Sequence, residues 1–227
     1  MSLLLVRHGQ ARAGTEDYDR LSERGREQAR LLGRWLADSG HGVAGGLVGA
    51  MRRHQQTFDA IAEGMADAGG ASLPEPTVEA ALDECDHHAV FDGFVRDNPT
   101  HAAVVGSRDG GLQSLGAMIH AALGAWSEDR IAGVPETWSA FGDRVGRAAQ
   151  ALATRVTGDV LVVSSGGVIS RLAQAALGAN DRGAVDLNLS LRNSAVSEFH
   201  VRPYGLALGS WNTLPHLRDR RDLWTYY

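Results

Sequence analysis

The stretch GDVLVVSSGGVISRLAQAALG, residues 158–178, constrains the fold more than any other part of the chain. An apolar, mostly β-branched run meets two serines and two glycines and passes at once into a helical pattern. This predicts a buried strand, a glycine turn and a helix. A second buried strand is written at residues 2–6, and it runs straight into Arg7, His8 and Gly9. Residues 21–40 carry Ala29, Leu32, Trp35 and Leu36 at helical spacing, with Ser22 placed to cap the start and Gly40 to end it. Residues 54–68 put Phe58, Ile61 and Met65 on one helical face, and residues 112–126 and 137–156 read as further helices. Residues 43–48 give a weaker strand thinned by glycine, and 70–84 a loop entering a short extended piece. Residues 194–201 and 205–211 read as two late strands joined around residues 203–205. Strands alternating with helices predict an α/β domain with a largely parallel sheet.

Neither Pro135 nor the glycines near 110 marks a domain boundary, so a single domain over 1–227 is expected. Hydrophobic residues make up 44% of the chain, enough for a sizeable core. The net charge of −5 and the lack of a basic stripe argue against nucleic-acid binding. Cys85 is the only cysteine, which excludes a disulfide framework and a Cys-rich zinc site. No Arg follows it at five or six residues, where Val90 and Phe91 stand, so it does not read as a cysteine phosphatase nucleophile. His87 and His88 are adjacent, a poor arrangement for holding one ion together, and read as exposed loop histidines. No apolar run reaches the roughly 18–20 residues that span a bilayer. The N-terminus lacks the basic region of a signal peptide, so a cytoplasmic location is the default expectation.

In open α/β sheets ligands bind beyond the carboxyl ends of strands. Two such ends carry chemistry here, at Arg7–His8–Gly9 and at Ser164–Ser165–Gly166–Gly167. The second opens a helix, whose free N–H groups favour an anion, and glycine lets backbone approach it closely. Arg presents a planar fork to phosphate oxygens, and a neutral imidazole is a nucleophile. Arg52 and Arg53 follow the weak strand and add positive charge at the same rim. Glu84 and Asp86 are candidate proton donors for a leaving oxygen. His54, next to Arg53, reads as facing elsewhere on its helix, toward the surface. Trp126, Trp138 and Trp211 read as core.

These stretches together resemble the histidine phosphatase superfamily, the phosphoglycerate-mutase-like proteins. LVRHG is similar to its opening signature, and MRRHQQT to its second arginine motif, a register that selects Arg53 over Arg52. LDE resembles the segment that supplies the acid, hence Glu84, and VVSSGGV the Val-Ser-His-Gly-Gly-Val motif. RNSAV and WNTLPHL resemble the closing strands and tail. The resemblance implies a three-layer α/β/α sandwich around a mostly parallel sheet, with residues 86–135, the least covered part, as a cap or insertion over the pocket. It implies a histidine acid phosphatase-type phosphomonoesterase. His8 would be the nucleophile that forms a phosphohistidine, and Arg7 and Arg53 would hold the phosphoryl group. Glu84 would be the acid, and Gly9, Gln10, Ser164 and Gly166 would surround the phosphate. It implies no metal or organic cofactor, and a small-molecule phosphoester as the partner.

Three departures stand out. The family's second histidine is here Ser165, a shorter and neutral donor. Loss of one preorganised donor costs about 10²–10³ in rate, which a slowed enzyme survives. A rate gain on the order of 10² in Ser165→His would show a site that needs only its missing donor, and no gain an alternative geometry. The other class of function consistent with Ser165 is a pseudo-phosphatase that binds phosphorylated ligands in a regulatory role. Gly49 stands where the family often has Ser. The mutases' RHGESxWN and their Arg-His-Tyr after the acid are replaced by RHGQARAGT and ECDHH, which favours phosphatase over mutase.

Overall fold

The structure, a computed structural model, describes residues 1–12, 19–99, 112–155 and 158–226, without the side chains of 112–115 and 152–155. The glycines near 110 and part of the expected cap lie outside the described residues. The strands are β1 (Ser2–Arg7), β2 (Gly45–Val48), β3 (Thr77–Val78), β4 (Val160–Ser164), β5 (Val196–Arg202) and β6 (Gly205–Thr213). The helices are α1 (Glu23–Asp38), α2 (Arg52–Asp67), α3 (His87–Asp97), α4 (Leu112–Ser127), α5 (Trp138–Arg155), α6 (Gly166–Leu177) and α7 (Asp181–Ser190).

The sheet runs in the order β3-β2-β4-β1-β5-β6. The first four strands are mutually parallel, and β5 and β6 close one edge as an antiparallel pair. Side chains alternate across a strand, so the two central strands feed two separate cores. Leu3, Leu5, Val160 and Val162 join one core with Val90 and Phe94 of α3, Trp126 of α4, Phe141 of α5 and Ile169 of α6. Leu4, Val6, Leu161 and Val163 join the other with Leu32 and Leu36 of α1 and Phe58 and Ile61 of α2. Two helical layers around one mixed sheet result, the expected α/β/α sandwich. Strands buried on both faces read as continuous apolar runs, which is how β1 and β4 appear in the sequence.

α1 begins as expected, with the Ser22 side chain accepting from the Gly25 N–H, and Gly40 follows its end in the left-handed region at φ 68°. Two helices are additional to the sequence reading. In α3 only Val90, Gly93 and Phe94 are buried, and in α7 only Ala184 and Val185. Such short stripes carry almost no periodic signal. His87 and His88 accordingly open a helix rather than sit in a loop, a correction to the expectation above.

Candidate active site

β1 and β4 pair in register with Arg7 opposite Ser164, so both strands release their chains at the same edge. The His8 N–H donates to the Ser164 carbonyl at 2.9 Å, and the Gly9 N–H to Thr57 Oγ1 at 3.1 Å. A Cβ on Gly9 would sit 2.4 Å from the Gly25 carbonyl oxygen, so only glycine lets this loop lie on α1. The Gln10 N–H donates to Gln28 Oε1, and Gln10 Oε1 accepts from the Ser22 hydroxyl. The loop after β1 is thus fixed from α1 and α2 together. The Gln-Thr pair of the arginine motif does this work on the α2 side, with Gln56 Oε1 accepting from the Leu21 N–H at 2.9 Å.

His8 is 5% exposed, and its Nδ1 lies 2.8 Å from the Gly9 carbonyl. A carbonyl only accepts, so Nδ1 carries the hydrogen and Nε2 keeps its lone pair. Burial pushes the His8 pKa well below its ordinary value, and the positive charges of Arg53 and then Arg7 push it the same way. The site therefore holds a neutral imidazole with one nitrogen available to attack, set among cations suited to an anion.

Arg53 is buried at the start of α2, while its neighbour Arg52 is exposed. Arg53 Nη1 contacts Asp19 Oδ1 at 2.8 Å, and Nη2 reaches Ser165 Oγ at 3.4 Å. Arg7 Nη1 donates to the Leu191 carbonyl, and its guanidinium passes the start of α6, where a Cβ on Gly166 would stand 3.6 Å from Nε. Ser164 is fully buried, and its hydroxyl donates to the Leu82 carbonyl at 2.6 Å, which ties β4 to the segment carrying Glu84.

Glu84 Oε2 accepts from the Gly167 N–H at 2.9 Å. A Cβ on residue 167 would lie 2.1 Å from Glu84 Oε1, so the second glycine of the turn makes room for this carboxylate. Asp86 is exposed and caps α3 by accepting from the Ala89 N–H at 3.0 Å. Cys85 is buried, which raises its thiol pKa well above the ordinary value and leaves it protonated. Among the described residues no group of three or more His, Cys, Asp or Glu is arranged to hold a metal ion.

His54 corrects the sequence reading. It is fully buried rather than on the surface. Its Nε2 lies 2.7 Å from Ser165 Oγ, and its ring centre 5.7 Å from that of His8. Position 54 is four residues before Phe58 and seven before Ile61, on the very stripe used to predict the helix. That phase was the available signal. Burial first, and Arg53 second, push the His54 pKa well below its ordinary value.

A groove between α5 and α6, lined by Val145, Ala149, Arg171, Leu172 and Tyr204, holds neither nucleophile nor acid. It opens near the β5–β6 turn, where Arg202 faces Gly205, and His200 pairs with Ser2, the start of β1. His8 lies past the other end of that strand.

The sequence matches the model of the histidine phosphatase superfamily (branch 1) over residues 3–97 and 110–214. No curated protein matches it. Among solved structures it is similar to Bacillus stearothermophilus YhfR at 19% identity and a TM-score of 0.67, covering 95% of this chain and 98% of that one. It is similar to the alpha-ribazole phosphatase of Shigella flexneri at 21% identity and 0.60, covering 94% and 96%. It is also similar to the phosphoglycerate mutase of Bacillus anthracis at 18% identity and 0.61, covering 96% and 95%. At these identities the likeness is one of fold.

Proposed function

The chain belongs to the histidine phosphatase superfamily, and on that premise we propose that it is a phosphomonoesterase working through a phosphohistidine on His8. His8 Nε2 attacks phosphorus, the ester P–O bond breaks, and the leaving oxygen takes a proton from Glu84. Water then attacks the phosphohistidine, Glu84 accepts its proton, and free phosphate leaves with His8 neutral again. Arg7 and Arg53 neutralise charge on the phosphoryl oxygens, the part a metal plays elsewhere. The Gly166 N–H at the start of α6 adds a donor, and Gly9 and Gln10 form the loop beneath. The substrate class is a small-molecule phosphoester.

The observation that carries this reading is the state of His8. It is a buried imidazole, with Nδ1 held by the Gly9 carbonyl, whose protonation two arginines oppose. Glu84 is favoured over Asp86 because its carboxylate lies at the Gly167 turn, whereas Asp86 is exposed at the start of α3. The turn at Gly167 accommodates the Glu84 carboxylate beside the same strand end. The test is hydrolysis of p-nitrophenyl phosphate at about pH 6, a pH suited to general acid catalysis by a carboxyl group. Wild-type protein is expected to turn over and His8→Ala to be inactive. Equal rates in both, or no hydrolysis across a panel of phosphoesters, ends the proposal. Saturable phosphate binding without turnover, lost in Arg7→Ala, would instead indicate a ligand-capturing pseudo-phosphatase.

A further inference from the structure

We infer that His54, acting through the Ser165 hydroxyl, replaces the histidine that this family carries at the position of Ser165. The inference deepens the phosphomonoesterase reading and rests on it. Two of the departures in the sequence, Ser165 and Gly49, and a histidine that reads there as surface-facing meet at one point in space. The Ser165 side chain ends 2.7 Å from His54 Nε2, so a histidine at 165 following the same direction would run into the His54 ring. A Cβ at residue 49 would stand 2.2 Å from His54 Nδ1 and 2.7 Å from Asp83 Oδ1, so the ring also needs Gly49. Ser165, His54 and Gly49 are therefore one exchange. The imidazole has moved from the end of β4 to the first turn of α2 while staying beside His8.

The hydrogen-bond inventory gives the exchange a direction. A serine hydroxyl has one hydrogen and two lone pairs. Arg53 Nη2, at 3.4 Å, can only donate to Ser165 Oγ and takes one lone pair. In the Nε2–H tautomer that the inference requires, His54 takes the other, which leaves the hydroxyl hydrogen for a phosphoryl oxygen and the lone pair on Nδ1. No bond to Ser165 or His54 forms or breaks. His54 is thus a positioning residue that fixes and polarises the donor, and Ser165 is the group that touches the phosphoryl group. His54 Nδ1 is buried without a hydrogen-bond partner, 3.8 Å from Asp83 Oδ1. Asp83 is held by the Met51 N–H at 3.2 Å and faces the imidazole from the side away from Ser165. Donation from His54 Nε2 to Ser165 Oγ, and from the Ser165 hydroxyl onward, forms a chain whose bonds strengthen one another in a low-dielectric site, while Asp83, at 3.8 Å, takes no hydrogen bond from Nδ1.

The test compares His54→Ala, Ser165→Ala, the double variant and His54→Gln, each checked for folding by its melting temperature. Turnover of p-nitrophenyl phosphate and affinity for orthovanadate are read for each. Each alanine variant is expected to lose kcat on the order of 10²-fold, the effect of one oxyanion donor, with KM little changed. The double variant is expected to be no worse than either single, because the two act as a unit. His54→Gln, whose amide nitrogen can donate to the same oxygen, is expected to recover roughly tenfold over His54→Ala. Ser165→His alone is expected to lower activity and, combined with His54→Ala and Gly49→Ser, to restore it. Unchanged kcat in folded His54→Ala, equal rates for the alanine and glutamine variants, or single effects that multiply would each overturn the inference. If wild type does no better than His8→Ala, the phosphomonoesterase reading fails by itself. The orthovanadate affinities then decide the relay. A loss shared by His54→Ala and Ser165→Ala, and not deepened in the double variant, supports it, and unchanged affinity overturns it.

Discussion

The imidazole of His8 stays neutral because burial strips water from its cation and two guanidinium groups repel it. Phosphoryl transfer from a neutral nucleophile is therefore expected to hold up as pH is lowered below 6.5, to values where a solvated histidine would already be protonated. A pre-steady-state rate of phosphoenzyme formation, followed against pH, checks this, and a decline centred at 6.5 would contradict it. Gly49 is the second residue with a sharp consequence. In Gly49→Ala the new methyl meets a packed ring, and the expected cost is about 1–3 kcal/mol in thermal unfolding together with reduced turnover. In a His54→Ala background the same change is expected to cost far less, since the obstructing ring is gone. At this scale His8, Arg7 and Arg53 were legible from their motifs. His54 was missed because, next to Arg53 on a helix, it reads as facing away from the site toward the surface. Only its helical phase with Phe58 and Ile61 tells otherwise.

The element that organises the site is the junction of β4 and α6. Its first turn offers backbone N–H groups, and Glu84 takes the one at Gly167. A methyl group in Gly167→Ala would displace that carboxylate. The expected result is a loss of about 10²-fold or more for alkyl phosphates, whose leaving oxygen needs a proton. A much smaller loss is expected for p-nitrophenyl phosphate, whose leaving group does not. Equal losses for both substrates would place the effect elsewhere than on the acid. This junction was the clearest element in the sequence because strand, glycines and helix follow without a break. α3 and α7 were not legible, since each buries barely more than one turn of apolar side chains. Glycine at 93, in the middle of α3, weakens the pattern further, although a Cβ there would stand 2.5 Å from Ile131 Cγ2.

Across the whole molecule, four segments far apart in the chain meet at one edge of the sheet: residues 7–10, 53–57, 82–84 and 164–167. The sandwich was legible because β1 and β4 are apolar on both faces. The hydrogen bonds that draw the segments together were not, since they join backbone groups to serine, threonine and glutamine side chains that could serve anywhere. Concentrating buried histidines has a consequence for stability. His8, His54 and His216 all have lowered pKa values, His216 to about 3, chiefly through burial. The unfolded chain takes up these protons near 6.5 while the fold resists them, so the unfolded state binds more protons below that pH. Stability is thus expected to fall as pH drops from about 6.5, by about 1.4 kcal/mol per pH unit for each such histidine. Urea unfolding between about pH 6.5 and 5, above most carboxylate titration, measures it, and His216→Gln is expected to flatten the slope. A phosphorylated imidazole in this pocket is detected most directly by quenching the enzyme in alkali during turnover of a phosphoester and locating phosphate by mass spectrometry. Acid-labile phosphate is expected on His8, chasing to free phosphate and absent from His8→Ala. No phosphoenzyme in an enzyme that turns over, or phosphate retained in His8→Ala, contradicts the phosphohistidine mechanism.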